Sequence, residues 1–423
     1  MRQGLKPILA QFCGQQLIIK TTAEIKTMTK NPVYHPDTIA VRGGLQRSEF
    51  DETSEALYVT SGYVYSSAEE AESSFNGEKD RFVYSRYSNP TVRMLENRLS
   101  QLEGAEACRM TSSGMAAVFA TMASLLKAGD RVVASRALFG ACYTILTEIM
   151  PKWGITTELI DGTDMSAWKS ALSQPAQMVF VETPSNPLLE LVDLEAVSTL
   201  AHQAGALMVV DNVFATPLGQ RPLALGADVV IYSATKHMDG HGRVLAGVIL
   251  GSSDIVDDAI FKFLSRTGPS LSPFNAWVVL KSLESMPYRV DRMVTSAHHI
   301  GQYLETHCPD IKVYYPYLES HPQYDLAKRQ MKHGGTVVAF ALPGGKEASF
   351  TFLNHLKLID ISNNLGDAKS LICHPYTTTH SSLNADQKHE LGISEGHIRL
   401  SVGLEHPDDL IGDLMAAYAR LSA

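Results

Sequence analysis

Residues 207–236 read LMVVDNVFATPLGQRPLALGADVVIYSATK, and this stretch decides the fold. Two short β-rich runs, 207–211 and 228–232, stand at its ends. Both are nearly continuous apolar runs, as in parallel strands covered on both faces, rather than alternating ones. The first ends in Asp211-Asn212, the second in Ser233-Ala234-Thr235-Lys236. Working outward, runs of the same texture recur at 131–135, 177–181 and 244–250. Helical patterns lie between and before them. Asn89-Pro90 reads as an N-cap with proline in the first turn; Val92, Leu95, Leu99 and Leu102 follow at helical spacing, and Gly104 stops the helix. The run 115–126 is almost wholly apolar and predicts a buried helix, and 194–204 predicts another. Strands alternating with helices predict an α/β fold, a mostly parallel central sheet with helices on both faces. After Ser285 the texture changes. A helix near 290–306, strands near 312–315 and 336–342 and a helix near 347–356 predict a smaller C-terminal α+β domain.

Composition narrows the class. The chain has 423 residues, 45% of them hydrophobic, which is ample for a large core and argues against disorder. Its net charge of −9 lacks the basic face that phosphate neutralisation demands, so no nucleic-acid partner is expected. Five widely spaced cysteines without a C-x-x-C pair predict reduced thiols in a cytosol, hence a cytoplasmic protein. No apolar run is long enough for a membrane span, and no H-E-x-x-H or Cys/His cluster suggests a metal. No G-x-G-x-x-G follows a strand, which weighs against a dinucleotide-binding oxidoreductase. The first thirty residues carry Arg2, Lys6, Lys20, Lys26 and Lys30 against the single acid Glu24. A disordered tail, a transit peptide and a true start at Met28 are all compatible with that pattern.

Ligands of α/β sheets bind at the carboxyl ends of the strands, so the residues handed over there carry the chemistry. Ser112-Ser113-Gly114 before the helix at 115 offers free backbone N–H groups and a positive dipole end, which suit a phosphate. Ser233 and Thr235 add hydroxyls. Lys236, partly desolvated, can form a Schiff base with a carbonyl. Asp211, on a neighbouring strand end, can keep a ring nitrogen protonated. Phosphate cradle, lysine and aspartate are together what pyridoxal 5'-phosphate requires.

The same residues carry a resemblance. Tyr84-Ser85-Arg86-Tyr87-Ser88-Asn89-Pro90-Thr91, Ser113-Gly114-Met115, Val210-Asp211-Asn212, Ser233-Ala234-Thr235-Lys236 and Arg399-Leu400-Ser401-Val402-Gly403-Leu404-Glu405 are similar to motifs of the cystathionine γ-synthase family, the pyridoxal-phosphate enzymes of cysteine and methionine metabolism. The resemblance runs from about Tyr58 to the C-terminus. It implies the fold of aspartate-aminotransferase-like transferases (fold type I). It also implies a homotetramer with active sites shared between subunits. The implied organisation is a tail and arm over 1–72 contacting a neighbouring subunit, a large cofactor domain over 73–284 and a small domain over 285–423. Lys236 is the implied catalytic lysine, and Asp211 the partner of the pyridine nitrogen. Ser113, Gly114, Met115, Ser233 and Thr235 are implied to hold the phosphate, with Tyr84 and Arg86 reaching it from the neighbouring subunit. Asn186 is implied near the ring oxygen and Arg399 on the substrate α-carboxylate.

Two departures narrow the reading. Phe139 stands where most of the family has a tyrosine stacked on the ring, so a phenol's proton transfers are lost. Asn364 replaces the usual serine of the carboxylate-binding stretch. With Asp239-Gly240-His241-Gly242-Arg243, 268–277, His374-Pro375 and Thr377-Thr378-Thr379-His380, the combination is most similar to family members that act on O-succinylhomoserine with sulfide. The implied reaction is γ-replacement of O-succinyl-L-homoserine by hydrosulfide in methionine biosynthesis. Its competitors are cystathionine γ-synthesis and a γ-lyase reaction. Arg243 is a candidate to meet a dicarboxylate leaving group, or a surface or subunit-contact arginine.

Overall fold

In the computed structural model, which describes residues 34–421, two β-sheets organise everything from Pro36 onward. The expectations for residues 1–30 fall outside the described residues. The large sheet has seven strands: β1 Ala107–Thr111, β2 Arg131–Ser135, β3 Thr156–Ile160, β4 Met178–Glu182, β5 Leu207–Asp211, β6 Val229–Ser233 and β7 Gly247–Gly251. Their order is β1-β7-β6-β5-β4-β2-β3. The pairs β2–β3, β2–β4, β4–β5 and β5–β6 are parallel, as the apolar runs predicted.

The run at 244–250 is a correction. It pairs antiparallel with both β6 and β1 and begins at Gly247. Parallel neighbours need a crossover, usually a helix. The segment between β6 and β7 carries none, so the chain turns back beside the strand it has just left.

Alternating side chains along the buried strands fill two cores. Met208, Val210, Val230 and Tyr232 pack on one face with Leu95, Leu99 and Leu102 of the helix Pro90–Glu103. Val209, Val229 and Ile231 pack on the other face with Ala117, Val118 and Met122 of the helix Gly114–Leu125. The first of these helices is bounded as its sequence dictates: Asn89 Oδ1 accepts Thr91 N–H (3.0 Å), Pro90 follows, and Gly104 closes it at φ 82°. Helices therefore cover both faces of the sheet. The smaller C-terminal sheet comprises β8 Lys312–Tyr314, β9 Val337–Ala341, β10 Asp360–Ile361, β11 Leu371–Cys373 and β12 His397–Ser401, in the order β10-β11-β12-β9-β8. Its core includes Phe340, Ile372, Ile398 and Leu400, with Ile300, Phe352 and Leu414 from the helices Met286–His307, Gly345–His355 and Pro407–Tyr418. Cys108, Cys142, Cys308 and Cys373 are free and buried. Among the described residues no helix is long and apolar enough to cross a membrane.

Candidate active site

The carboxyl ends of β4, β5 and β6 meet the first turn of the helix Gly114–Leu125 at one cavity of about 440 Å³, a small-molecule volume. Ser113, Gly114, Met115, Ser233 and Thr235 line one part of it. Ser113 Oγ accepts Ala116 N–H (3.1 Å), while the amides of Gly114 and Met115 have no acceptor within the helix. A Cβ on residue 114 would lie 2.7 Å from Ser233 Cβ, so glycine is what lets the helix start against β6.

Asp211 and Glu182 are register partners on parallel strands, both buried and both lining the cavity. Asp211 Oδ1 accepts Val213 N–H (3.1 Å). Glu182 accepts N–H groups from Phe139 (2.7 Å) and Asn186 (3.0 Å). Burial pushes both carboxyls above the usual range, and the charge of Asp211 pushes Glu182 further. Two buried acids side by side call for a cation, and a protonated pyridine nitrogen at Asp211 would be one.

Lys236 Nζ reaches the same space and donates to Asn364 Oδ1. Burial, and then the charge of Arg399, lower its ammonium to about 8. Arg399 enters from β12 of the smaller sheet, 2% exposed. Its Nη1 donates to Asn186 Oδ1 (3.0 Å) and its Nη2 to the carbonyls of Asn363 (2.8 Å) and Asn364 (3.3 Å). Its Nε is buried without a partner, an orphaned donor that a carboxylate would satisfy. Phe139 supplies an aromatic wall to the cavity.

Asn364 does not itself line the cavity and meets the site through Lys236 and Arg399, and three further expected residues lie elsewhere. Tyr84, 41% exposed, is not in the cavity of its own chain. Arg86 sits over the rings of Tyr84 and Tyr87 in a separate hollow and donates to Ser265 O. Arg243 is bound to the fully buried Asp239, with Nε and Nη2 at 3.0 and 2.8 Å from Oδ1, and does not line the cavity. Conversely, the cavity includes Glu182, Val213, Phe214, Thr378 and Thr379, none of which has a site role by motif. The position of Glu182 at the end of an apolar run was the signal that could have found it.

These residues fit pyridoxal phosphate: uncapped helix amides and hydroxyls for its phosphate, a buried acid for its ring nitrogen and a half-buried amine for its carbonyl. A parallel sheet delivering that set to one cavity defines a pyridoxal-phosphate-dependent enzyme. The model of the family "Cys/Met metabolism PLP-dependent enzyme" matches residues 37–419, and the chain belongs to that family. It is 56% identical over 387 residues to an O-succinylhomoserine sulfhydrylase of Mycobacterium tuberculosis, covering 90% of this chain and 95% of that protein. An O-succinylhomoserine sulfhydrylase of Pseudomonas aeruginosa is 44% identical, covering 91% of this chain and 95% of its own. Among solved structures, a cystathionine gamma synthase from Xanthomonas oryzae, in complex with aminoacrylate and cysteine, superposes with a TM-score of 0.87 at 32% identity, covering 92% of this chain and 99% of that one.

Proposed function

We propose that this enzyme replaces the γ-succinyloxy group of O-succinyl-L-homoserine with hydrosulfide, breaking the Cγ–O bond and forming a Cγ–S bond, to give L-homocysteine and succinate. The observation that carries the reading is the 56% identity to a named O-succinylhomoserine sulfhydrylase over nine-tenths of the chain. Bound pyridoxal phosphate supplies an electron sink through its charged ring nitrogen. Asp211 holds the proton on that nitrogen. Ser113, the amides of Gly114 and Met115, and the hydroxyls of Ser233 and Thr235 hold the phosphate. Arg399 takes the substrate α-carboxylate on its free Nε, already oriented by Asn186 and by the carbonyls of Asn363 and Asn364. Lys236, once free, removes the α-proton and returns protons to the carbon chain. Its lowered ammonium pKa leaves a large neutral fraction near pH 8. Asn364 steadies the amine through its Oδ1. Phe139 shapes the cavity without donating or accepting a proton, so the leaving carboxylate departs without help from a phenol. Succinate leaves the γ-carbon as hydrosulfide takes its place.

The proposal extends to the assembly. Tyr84 and Arg86 would complete the phosphate site of a neighbouring copy in a cytoplasmic homotetramer, with 34–72, the described part of the 1–72 segment, as the reaching arm, 73–284 as the cofactor domain and 285–423 as the small domain. Support comes from Phe50, Val59, Val64 and Phe75, apolar side chains exposed around that arm. Arg243 would meet the succinyl group only after leaving Asp239.

The test offers purified enzyme O-succinylhomoserine with sulfide, with cysteine and alone, and measures homocysteine, cystathionine and 2-oxobutanoate separately. Dominant homocysteine is expected. Dominant cystathionine would replace this reading with a synthase, and dominant 2-oxobutanoate with a γ-lyase.

A further inference from the structure

We propose that Glu182 is a positioning residue that braces two walls of the cofactor cavity with one carboxylate. It is 5% exposed, ends β4 and lines the cavity beside Asp211. Its two oxygens divide their work. Oε2 accepts the backbone N–H of Phe139, in the loop after β2. Oε1 accepts the backbone N–H of Asn186, in the loop after β4. Both loops are therefore pinned to a single rigid strand end.

What each loop presents gives the brace its purpose. Phe139 turns its ring to the cavity. Asn186 passes the constraint on, because its Oδ1 accepts Arg399 Nη1. One side chain thus fixes the aromatic wall and, through Asn186, the arginine that comes from the other sheet. Both demands on residue 182 are for an acceptor. Both oxygens of a carboxyl group can accept, whereas a glutamine amide must turn its NH₂ toward one of the two N–H donors. An aspartate keeps two acceptors but is one methylene short of spanning both loops.

This inference rests on the cofactor occupying the cavity. The experiment compares wild type, Glu182→Gln and Glu182→Asp. It measures pyridoxal phosphate affinity of the apoprotein, the visible circular dichroism induced per mole of bound cofactor, and apoprotein melting. The induced band reports the asymmetry of the walls around the ring. Loss of one acceptor predicts cofactor affinity weakened about 5- to 100-fold in Glu182→Gln. The induced band should fall to less than half, with Glu182→Asp in between. A normal band in Glu182→Gln, whatever its affinity or melting temperature, overturns the proposal, because a merely structural role moves only those. Should Glu182→Gln not fold, the band of Glu182→Asp decides in the same sense. A wild type without an induced band would instead overturn the cofactor's placement.

Discussion

Gly114→Ala adds one methyl where the helix proposed to hold the phosphate begins. The new Cβ would sit 2.7 Å from Cβ, 3.0 Å from Oγ and 3.1 Å from Cα of Ser233, where ordinary contact begins at 3.4 Å. One of those atoms is backbone of β6, inside the sheet, so the helix start must yield instead. Overpacking of this kind costs roughly 1–3 kcal/mol. Alanine's better helix propensity returns at most about 1 kcal/mol, and less in a first turn. The displaced atoms are the amides of Gly114 and Met115 and the hydroxyl of Ser233, so the loss should fall on cofactor binding. A net loss of ~0.5–3 kcal/mol corresponds to a dissociation constant raised about 2- to 150-fold. The assay titrates apoprotein with pyridoxal phosphate and follows tryptophan fluorescence. Gly412→Ala is the control: its Cβ would meet nothing within 4 Å, and it lies in the helix Pro407–Tyr418. The control should bind as wild type does. Gly114→Ala binding within twofold of wild type would falsify both the close approach and the placement of the phosphate.

In apoprotein, the ammonium of Lys236 lies at about 8, so near pH 8 about half the molecules carry a neutral amine there. A small amine-reactive reagent at pH 8 should modify Lys236 ahead of exposed lysines, with protection by pyridoxal phosphate; peptide mass spectrometry reads this, and equal labelling of all lysines would refute it. Tyr232→Phe removes the hydroxyl that joins Asn212 Nδ2 (2.7 Å) to Glu103 Oε2 (2.5 Å), leaving two buried groups short of partners. The unfolding free energy from urea titration should fall by about 1–3 kcal/mol. Burial raises Glu103 to about 8 from its ordinary value near 4.5, so its contribution to stability declines as pH rises through that interval. Glu103→Gln should flatten that decline, and an unaltered pH profile of the unfolding midpoint would rule the account out. Arg399→Lys loses the fork that holds Asn186 and two carbonyls; at about 1.5–3 kcal/mol per charge-assisted bond, kcat/KM should drop at least tenfold. Steady-state kinetics check this, and an unchanged KM for the amino-acid substrate would count against the assigned carboxylate contact.

The strands that carry the chemistry were the most legible. The apolar runs coincide with β5 and begin one residue before β4 and β6, because buried parallel strands advertise themselves as unbroken apolar runs. β1 escaped that signal: Arg109 interrupts it, paired with Asp257 at 2.6 Å and stacked on Phe261. β3 is an edge strand, TTELI, too polar to stand out. The direction of β7 was hidden because orientation leaves no mark on a strand buried on both faces. At the site, Lys236, Asp211 and the Ser113-Gly114 turn could be found from strand ends. Arg399 came only through the family motif, since nothing in residues 397–401 says that they will face a sheet folded from residues 107–251. Glu182 stands at the end of an apolar run, but no role follows from that position alone, because its partner in register, Asp211, is identified by strand pairing rather than by spacing.

The reversal at β7 also decides how Lys236 can move. The link that carries it leaves β6, returns into β7 and is stitched down by Gly240 N–H to Lys236 O (2.7 Å) and Asp239 N–H to Ala234 O (2.9 Å). A lysine on a lasso tied at both ends cannot swing with a loop or ride on a lid. Its working radius is that of its own four-carbon arm, pivoting from a fixed post. In the proposed reaction every proton it carries would be collected and delivered inside that circle, which would tie the reach of the chemistry along a substrate to the length of one side chain.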